Sequence, residues 1–89
     1  MEIQGIVKEI GAVETNQSQD GHSFDRRKVL IETVEEYPQS LSLTLKGDLA
    51  TNFSAKDGQL IKAYLKFRTY ENKDHTARFN DIIAWRIDL

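Results

Sequence analysis

The chain has 89 residues, of which 39% are hydrophobic and 29% are charged, and its formal net charge is −2. This length allows one modest core, and this composition excludes a disordered chain. Because cysteine is absent, a disulfide framework, a thiolate metal site and a thiol nucleophile are excluded. We therefore expect residues 1–89 to form a single domain, and the lack of cysteine fits the reducing cytoplasm.

Membrane insertion and secretion are not expected from this sequence. Residues 1–5 have neither a charged start nor an apolar stretch of the kind that signal peptides carry. The longest apolar runs have three or four residues, which is far too short to span a bilayer.

The first half of the chain predicts two strands joined by a long loop. Residues 2–13 alternate imperfectly and form the first predicted strand. Residues 14–24 are polar and contain Asp20-Gly21, so they predict a loop with a turn. Residues 26–34 alternate again and form the second strand, which must end before Pro38, since proline has no N–H to donate.

The next segment gives the clearest strand and the only predicted helix. In residues 40–46, the leucines alternate with Ser42, Thr44 and Lys46, which are predicted to face outward. After Gly47 the period changes, and a short helix is predicted over residues 48–55 with Asp48 as its N-cap.

Two further strands complete the pattern. Residues 59–70 predict a long fourth strand with Phe67 among its inward residues. A polar turn leads to a last strand over residues 77–89, in which Ile83, Trp85 and Ile87 share a face, so Trp85 is predicted to lie in the core.

The resulting order is β-β-β-α-β-β, which is all-β with one short helix. A helix between the third and fourth strands is typical of the five-stranded oligonucleotide/oligosaccharide-binding (OB) barrel. A small antiparallel sandwich is the alternative.

Several short motifs resemble those of a known family. They are Glu35-Glu36-Tyr37-Pro38, Gly47-Asp48, Arg68-x-Tyr70 and the run DIIAWRI at residues 81–87. Together they are similar to a bacterial domain-of-unknown-function family of OB-fold proteins, itself similar to single-stranded-DNA-binding proteins. The resemblance covers almost the whole chain and implies an OB barrel that binds single strands. The chain differs in its long charged turn before the last strand and in having Phe79 where tryptophan is usual.

The outward face of the fourth strand alternates cations with tyrosines. Single strands are bound by cations that track phosphates and by aromatic rings on which bases stack. The predicted contacts on this face are Lys62, Tyr64, Lys66, Arg68 and Tyr70. The alternative is a solvated outer strand, in which tyrosine follows strand propensity and the cations keep the edge soluble.

A second set of candidates lies where OB domains hold their ligands. Among Arg26, Arg27 and Lys28, strand alternation puts Arg26 and Lys28 on one face. Arg78 and Phe79 begin the last strand, beside the loop between the fourth and fifth strands. The alternative for the basic run is ion pairing with neighbouring carboxylates.

Catalysis has little support in the sequence. His22 and His75 lie in polar stretches with no nucleophile signature nearby. The chain has no metal-ligand spacing and no glycine-rich phosphate loop. We therefore expect no enzyme activity, no catalytic residue, no metal and no cofactor.

These features favour sequence-tolerant binding of single-stranded nucleic acid, with DNA as the expected form. A homo-oligomer is expected, because one small acidic barrel offers a small footprint. The alternative is a protein-interaction or assembly subunit on an OB scaffold, since residues 1–40 carry four basic and eight acidic residues. An oligosaccharide- or small-ligand-binding barrel is a third possibility.

Overall fold

The computed structural model describes residues 1–17, 21–71, 74 and 76–89. Within them lie six strands and one short helix, in the order β1 (Glu2–Ile10), β2 (Glu14–Gln17), β3 (Ser23–Thr33), β4 (Ser40–Lys46), α1 (Asp48–Thr51), β5 (Leu60–Glu71) and β6 (Arg78–Asp88). No helix in these ranges has the length and apolar character needed to cross a membrane.

Five of the strands close into a ring. β1 pairs antiparallel with both β3 and β5, β5 pairs with β6, and β3 pairs with β4. A parallel bridge between Thr44 of β4 and Ile83 of β6 closes the last side. β2 lies outside the ring as an added strand on β3. With the helix between the third and fourth strands of the ring, this is an OB fold, and the predicted fold class is confirmed.

The core fills the interior of this ring. Its members are aliphatic side chains from every strand of the ring, and they include Val7, Val29, Ile31, Leu43, Leu45, Ile61, Leu65 and Ala84. α1 adds the buried Ala50, and Leu49 and Phe53 pack partly against the same cluster. The buried methyl and methylene groups supply the main force that holds the strands in a ring.

Gly5 lies where β1 is shared between its two neighbours. It pairs with Thr33 of β3 on one side and with Ile61 of β5 on the other. A Cβ atom here would stand 2.8 Å from Cδ1 of Ile31 and 3.1 Å from the carbonyl oxygen of Glu32. The close approach of β3 therefore requires glycine at this position.

The predicted loop over residues 14–24 is largely a hairpin, and the prediction was wrong there. Glu14–Gln17 pairs with β3, and the Thr15 hydroxyl donates a hydrogen bond of 2.9 Å to Asp25. β2 lies at the edge of the sheet, so most of its side chains meet solvent and no apolar alternation marks it in the sequence. Asp20 of the predicted turn lies outside the described residues, as does His75.

The helix is shorter than predicted and is capped differently. It spans Asp48–Thr51, and its N-cap is Gly47 with φ 63° and no side-chain cap bond. Asp48 lies inside the first turn. A glycine at this corner allows the left-handed backbone turn between β4 and α1 without steric cost.

Three side chains point differently from the prediction. Thr44, predicted to face outward, is fully buried where β6 lies beside β4, and its hydroxyl contacts Asp81 of β6. Phe67, predicted to be in the core, is 62% exposed, since it lies in the part of β5 that extends past the residues paired with β1. Trp85, also predicted to be in the core, is 55% exposed.

A bulge in β6 explains the position of Trp85. Tyr64 pairs with Arg86, whereas the next residue of β5, Leu65, pairs with Ala84. Trp85 is therefore the extra residue of β6, and an extra residue breaks the strict alternation of faces. Its ring lies against Tyr64 with a centroid distance of 5.4 Å.

Candidate nucleic-acid interface

A groove of about 740 Å³ runs between the β5–β6 hairpin and the outer face of β3 and β4. Its lining combines cations, aromatic rings and a single carboxylate. The lining residues are Phe24, Arg26, Lys28, Lys46, Arg68, Tyr70, Phe79, Asn80 and Asp81.

The strand registers bring these side chains together. Arg26 is directly opposite Lys46 across the β3–β4 ladder. Across the β5–β6 ladder, Arg68 is opposite Asp81 and Tyr70 is opposite Phe79. Residues that face each other across a ladder share a face of the sheet, and so do residues two apart on one strand. Each wall of the groove therefore presents one continuous set of side chains.

Asp81 forms the floor of the groove. Its carboxylate accepts a hydrogen bond of 2.6 Å from the Thr44 hydroxyl. On its open side it meets Lys28 at 3.5 Å and Arg26 at 4.0 Å. Burial by itself raises the pKa of Asp81, but the Thr44 hydrogen bond and the charges of Lys28 and Arg26 outweigh it and hold the pKa below its ordinary value of 3.8.

The groove carries an excess of positive charge. Four cations line it against the one carboxylate, although the whole chain has a net charge of −2. Within the described part of the chain, no carboxylate lies within ion-pair distance of Lys46 or Arg68. These two cations can neutralise an anion without first breaking an ion pair.

The aromatic rings of the groove are accessible and lie next to cations. Phe79 is 59% exposed. The Lys46 ammonium lies 5.9 Å from the centre of the Phe24 ring, and the Arg68 guanidinium lies 4.9 Å from that of Tyr70. Flat, exposed rings beside cations can accept a stacked base and its phosphate together.

Five of the predicted contact residues meet in this groove. They are Arg26, Lys28, Arg68, Tyr70 and Phe79. Arg27, between the first two, does not line it. Lys66 lines a smaller pocket beside the groove. Arg78 lies at the start of β6, where its Nε donates to Glu71 at 2.9 Å.

Lys62 and Tyr64 lie farther along β5, outside the groove. The Lys62 ammonium is 3.3 Å from Glu2, and a hydrogen bond and the charge of Glu2 raise the Lys62 pKa above 10.5. The Tyr64 hydroxyl donates to Asp88 at 3.2 Å. Lys62 is about 20 Å from Arg68, given a rise of about 3.3 Å per strand residue.

Four groove residues were not among the predicted contacts. Phe24 was expected to anchor its loop to the core, and Lys46, Asn80 and Asp81 were not considered as contacts. The outward position of Lys46 follows from strand alternation, but its meeting with Arg26 depends on the β3–β4 register. Asp81 reaches Thr44 only through the parallel contact of β4 with β6, across 37 positions of sequence. Among the residues that the structure describes, no three histidines or carboxylates are placed to hold a metal ion.

A match to a protein-family model shows the family of this chain. The family model described as a domain of unknown function, DUF3127, matches residues 2–88. The chain belongs to the DUF3127 family. The resemblance drawn from the motifs is thereby confirmed. No curated protein matches this DUF3127 chain significantly in sequence.

Solved structures support the fold of the DUF3127 chain. The SSB domain of a Synechococcus protein is similar with a TM-score of 0.68 and 14% identity, over 100% of this chain and 92% of that one. The second OB-fold domain of replication protein A from Methanococcus maripaludis has a TM-score of 0.69 and 18% identity, over 99% and 80%. Rim1, a mitochondrial single-stranded DNA binding protein from S. cerevisiae, has a TM-score of 0.69 and 15% identity, over 100% and 91%. At these identities the likeness shows that the DUF3127 chain has an OB fold.

Proposed function

We propose that this chain is a binding module, not an enzyme, and that it binds single-stranded nucleic acid, with DNA as the expected form. The observation that carries the proposal is the groove, in which four cations and three aromatic rings line one open surface. Phosphates need cations and exposed bases need flat rings, and this surface offers both along one path.

Each set of side chains has its own role in the proposal. Lys46 and Arg68 neutralise phosphates directly. Arg26 and Lys28 do so while sharing Asp81, which keeps them turned toward the groove. Phe24, Tyr70 and Phe79 stack on bases. Because every base has a flat face, stacking of this kind tolerates any sequence.

The likeness to solved OB domains supports this proposal. Rim1 is named as a single-stranded DNA binding protein. OB domains hold ligands on the face of their second and third strands and on the loops between strands one and two and between strands four and five. In this chain those strands are β3 and β4, which form one wall of the groove.

Fluorescence anisotropy with a labelled oligo-dT, repeated over a range of salt concentrations, tests the proposal. We expect binding that weakens with a log–log slope of about −3, given about −0.7 for each of four phosphates contacted. A mixed-sequence oligonucleotide should bind with similar affinity, and an unlabelled duplex should compete poorly. No binding at low salt would contradict the proposal. Oligo-dT binding that is insensitive to salt would show that the groove cations do not contact the phosphates.

We further propose that residues 1–89 form a single cytoplasmic domain that acts as a homo-oligomer. One groove of this size contacts few nucleotides, and a second copy would extend the surface. In the described part of the chain β2 pairs on one side only, with β3, so its other edge is open to a strand of another copy. Light scattering after gel filtration measures the oligomer, and a monomer at all concentrations would contradict it.

A further inference from the structure

A second, smaller pocket opens beside the groove. It has a volume of about 380 Å³ and lies between the end of β4, the start of α1 and the β5–β6 ladder. Lys46 and Arg68 line both the groove and this pocket. The walls that they share make the two depressions parts of one continuous surface. Lys66 and Trp85 line this pocket but not the groove.

Trp85 is held in place by its neighbours and still exposes more than half of its surface. The bulge in β6 makes it the extra residue opposite Tyr64 and Leu65. Its ring rests against Tyr64 at 5.4 Å, with 51° between the ring planes. Tyr64 is fixed in turn by its hydrogen bond to Asp88 and by the Arg86 guanidinium, 5.1 Å from its ring centre. A large ring that is fixed from one side and open on another is a suitable platform for a base.

Within the described ranges, cations without an ion-pair partner extend along this surface only as far as Trp85. Among the described residues, Lys46, Arg68 and Lys66 have no carboxylate within ion-pair distance. Beyond Trp85, by contrast, the cations are already neutralised. Lys62 pairs with Glu2 at 3.3 Å, and Arg86 pairs with Asp88 at 3.1 Å. Available positive charge therefore runs from the groove to Trp85 and stops there.

We propose that a single DNA strand leaves the groove between Lys46 and Arg68, crosses the smaller pocket, and stacks a further base on Trp85. Lys66 neutralises the phosphate of that step, and Tyr64 is the positioning residue that holds the tryptophan. The inference rests on the proposed function, and it adds a contact that the groove alone does not contain. It implies that strands long enough to reach Trp85 bind more tightly than strands that fill only the groove.

The chain contains a natural probe for this contact, because Trp85 is its one tryptophan. The test compares oligo-dT of about four and about twelve nucleotides, which both fall within the range of about 4–16 nucleotides that one OB domain covers. Tryptophan emission of the unmodified protein is recorded together with the anisotropy of each labelled strand. We expect both strands to bind and only the longer one to quench the emission, because stacking brings the base against the indole ring.

A variant separates this contact from binding in the groove. Trp85→Ala should weaken the binding of the longer strand about tenfold, within the range of one stacked base, and leave the shorter strand unaffected. Trp85→Phe keeps a ring and should restore most of the loss, which also shows that the alanine variant acts through stacking. If the longer strand binds without quenching, and Trp85→Ala leaves its affinity unchanged, the inference is overturned while the groove proposal stands. If neither strand binds, both proposals fail.

Discussion

Thr44 donates its hydroxyl hydrogen to Asp81 across 2.6 Å, at the point where β4 and β6 meet through their one parallel bridge. The threonine is fully buried, and the carboxylate that it contacts also holds Lys28 and Arg26. One polar contact therefore helps to close the ring of strands and also sets the cations on the groove floor. The same pair therefore contributes to the stability of the fold and to the arrangement of the groove.

Asp81→Asn should lower the stability of the domain at neutral pH and remove part of its sensitivity to acid. Because the folded-state pKa of Asp81 lies below its ordinary value of 3.8, its charged form stabilises the fold fully at pH values above that ordinary value. That contribution is lost as the pH falls through the lower, folded pKa. We expect a loss of roughly 1–2 kcal/mol at neutral pH, since a hydrogen bond to a charged group becomes a neutral one.

Urea unfolding at neutral pH and near pH 3, followed by circular dichroism, measures this effect. The difference in free energy of unfolding between the natural chain and Asp81→Asn should be smaller near pH 3 than at neutral pH. Thr44→Val removes the donor instead, and its cost should not add fully to that of Asp81→Asn, since both changes break the same contact. If this difference in free energy of unfolding is the same at both pH values, the charge of Asp81 does not stabilise the fold.

Arg68→Ala should weaken oligo-dT binding about fivefold, because one cation–phosphate contact near a wet surface contributes about 1 kcal/mol. The log–log salt slope should become shallower by about 0.7. Lys8→Ala is the matched control, since Lys8 is an exposed cation on β1 that pairs with Glu32 and lies outside the groove. Equal effects of the two substitutions on the salt slope would show that overall charge, and not the groove, governs binding.

Tyr70→Ala should weaken oligo-dT binding by about 1–3 kcal/mol if its ring stacks on a base. The log–log salt slope of oligo-dT binding should be the same for Tyr70→Ala as for the natural chain, because no charge is removed. Tyr37→Ala serves as the control, since Tyr37 is 75% exposed in the connection between β3 and β4 and is not a groove residue. Isothermal titration calorimetry measures both variants. A loss for Tyr70 no greater than that for Tyr37 would assign Tyr70 a structural role.

Gly5→Ala should destabilise the fold by about 1–3 kcal/mol, the usual cost of forcing an extra carbon into a packed site. The new Cβ atom would meet Cδ1 of Ile31 at 2.8 Å. Ile31→Val removes that Cδ1 atom, so the glycine substitution should cost less in a chain that already carries Ile31→Val. Chemical unfolding of the four chains measures the coupling. If the losses in free energy of unfolding caused by Gly5→Ala and Ile31→Val simply add, then β3 moves away from the new Cβ atom without strain.

The strand pattern was largely predictable, because strand boundaries depend on local alternation and turn residues. The predicted third strand, residues 40–46, coincides with Ser40–Lys46. The face of the sheet that a side chain occupies was predictable only where the pairing of the strands is regular. Trp85 was assigned to the core because no feature of the sequence marks the bulge opposite Tyr64, which arises from how β5 and β6 fit together.

The groove was predictable in part for the same reason. Alternation placed Arg68 and Tyr70 on one face of β5, and their opposite positions to Asp81 and Phe79 then follow from the hairpin register. Lys46 and Asp81 were missed because their places depend on contacts between strands distant in sequence. Periodicity within one strand carries no information about such contacts.

The most direct test of the groove is to map where a single strand touches the protein. An amide ¹H–¹⁵N NMR titration of the chain with an unlabelled oligo-dT gives this residue by residue. We expect the largest amide shifts at Phe24, Lys46, Arg68 and Phe79, and unchanged amide shifts in the connection around Tyr37. Shifts confined to β1 and that connection, with the groove amides unmoved, would contradict this expectation.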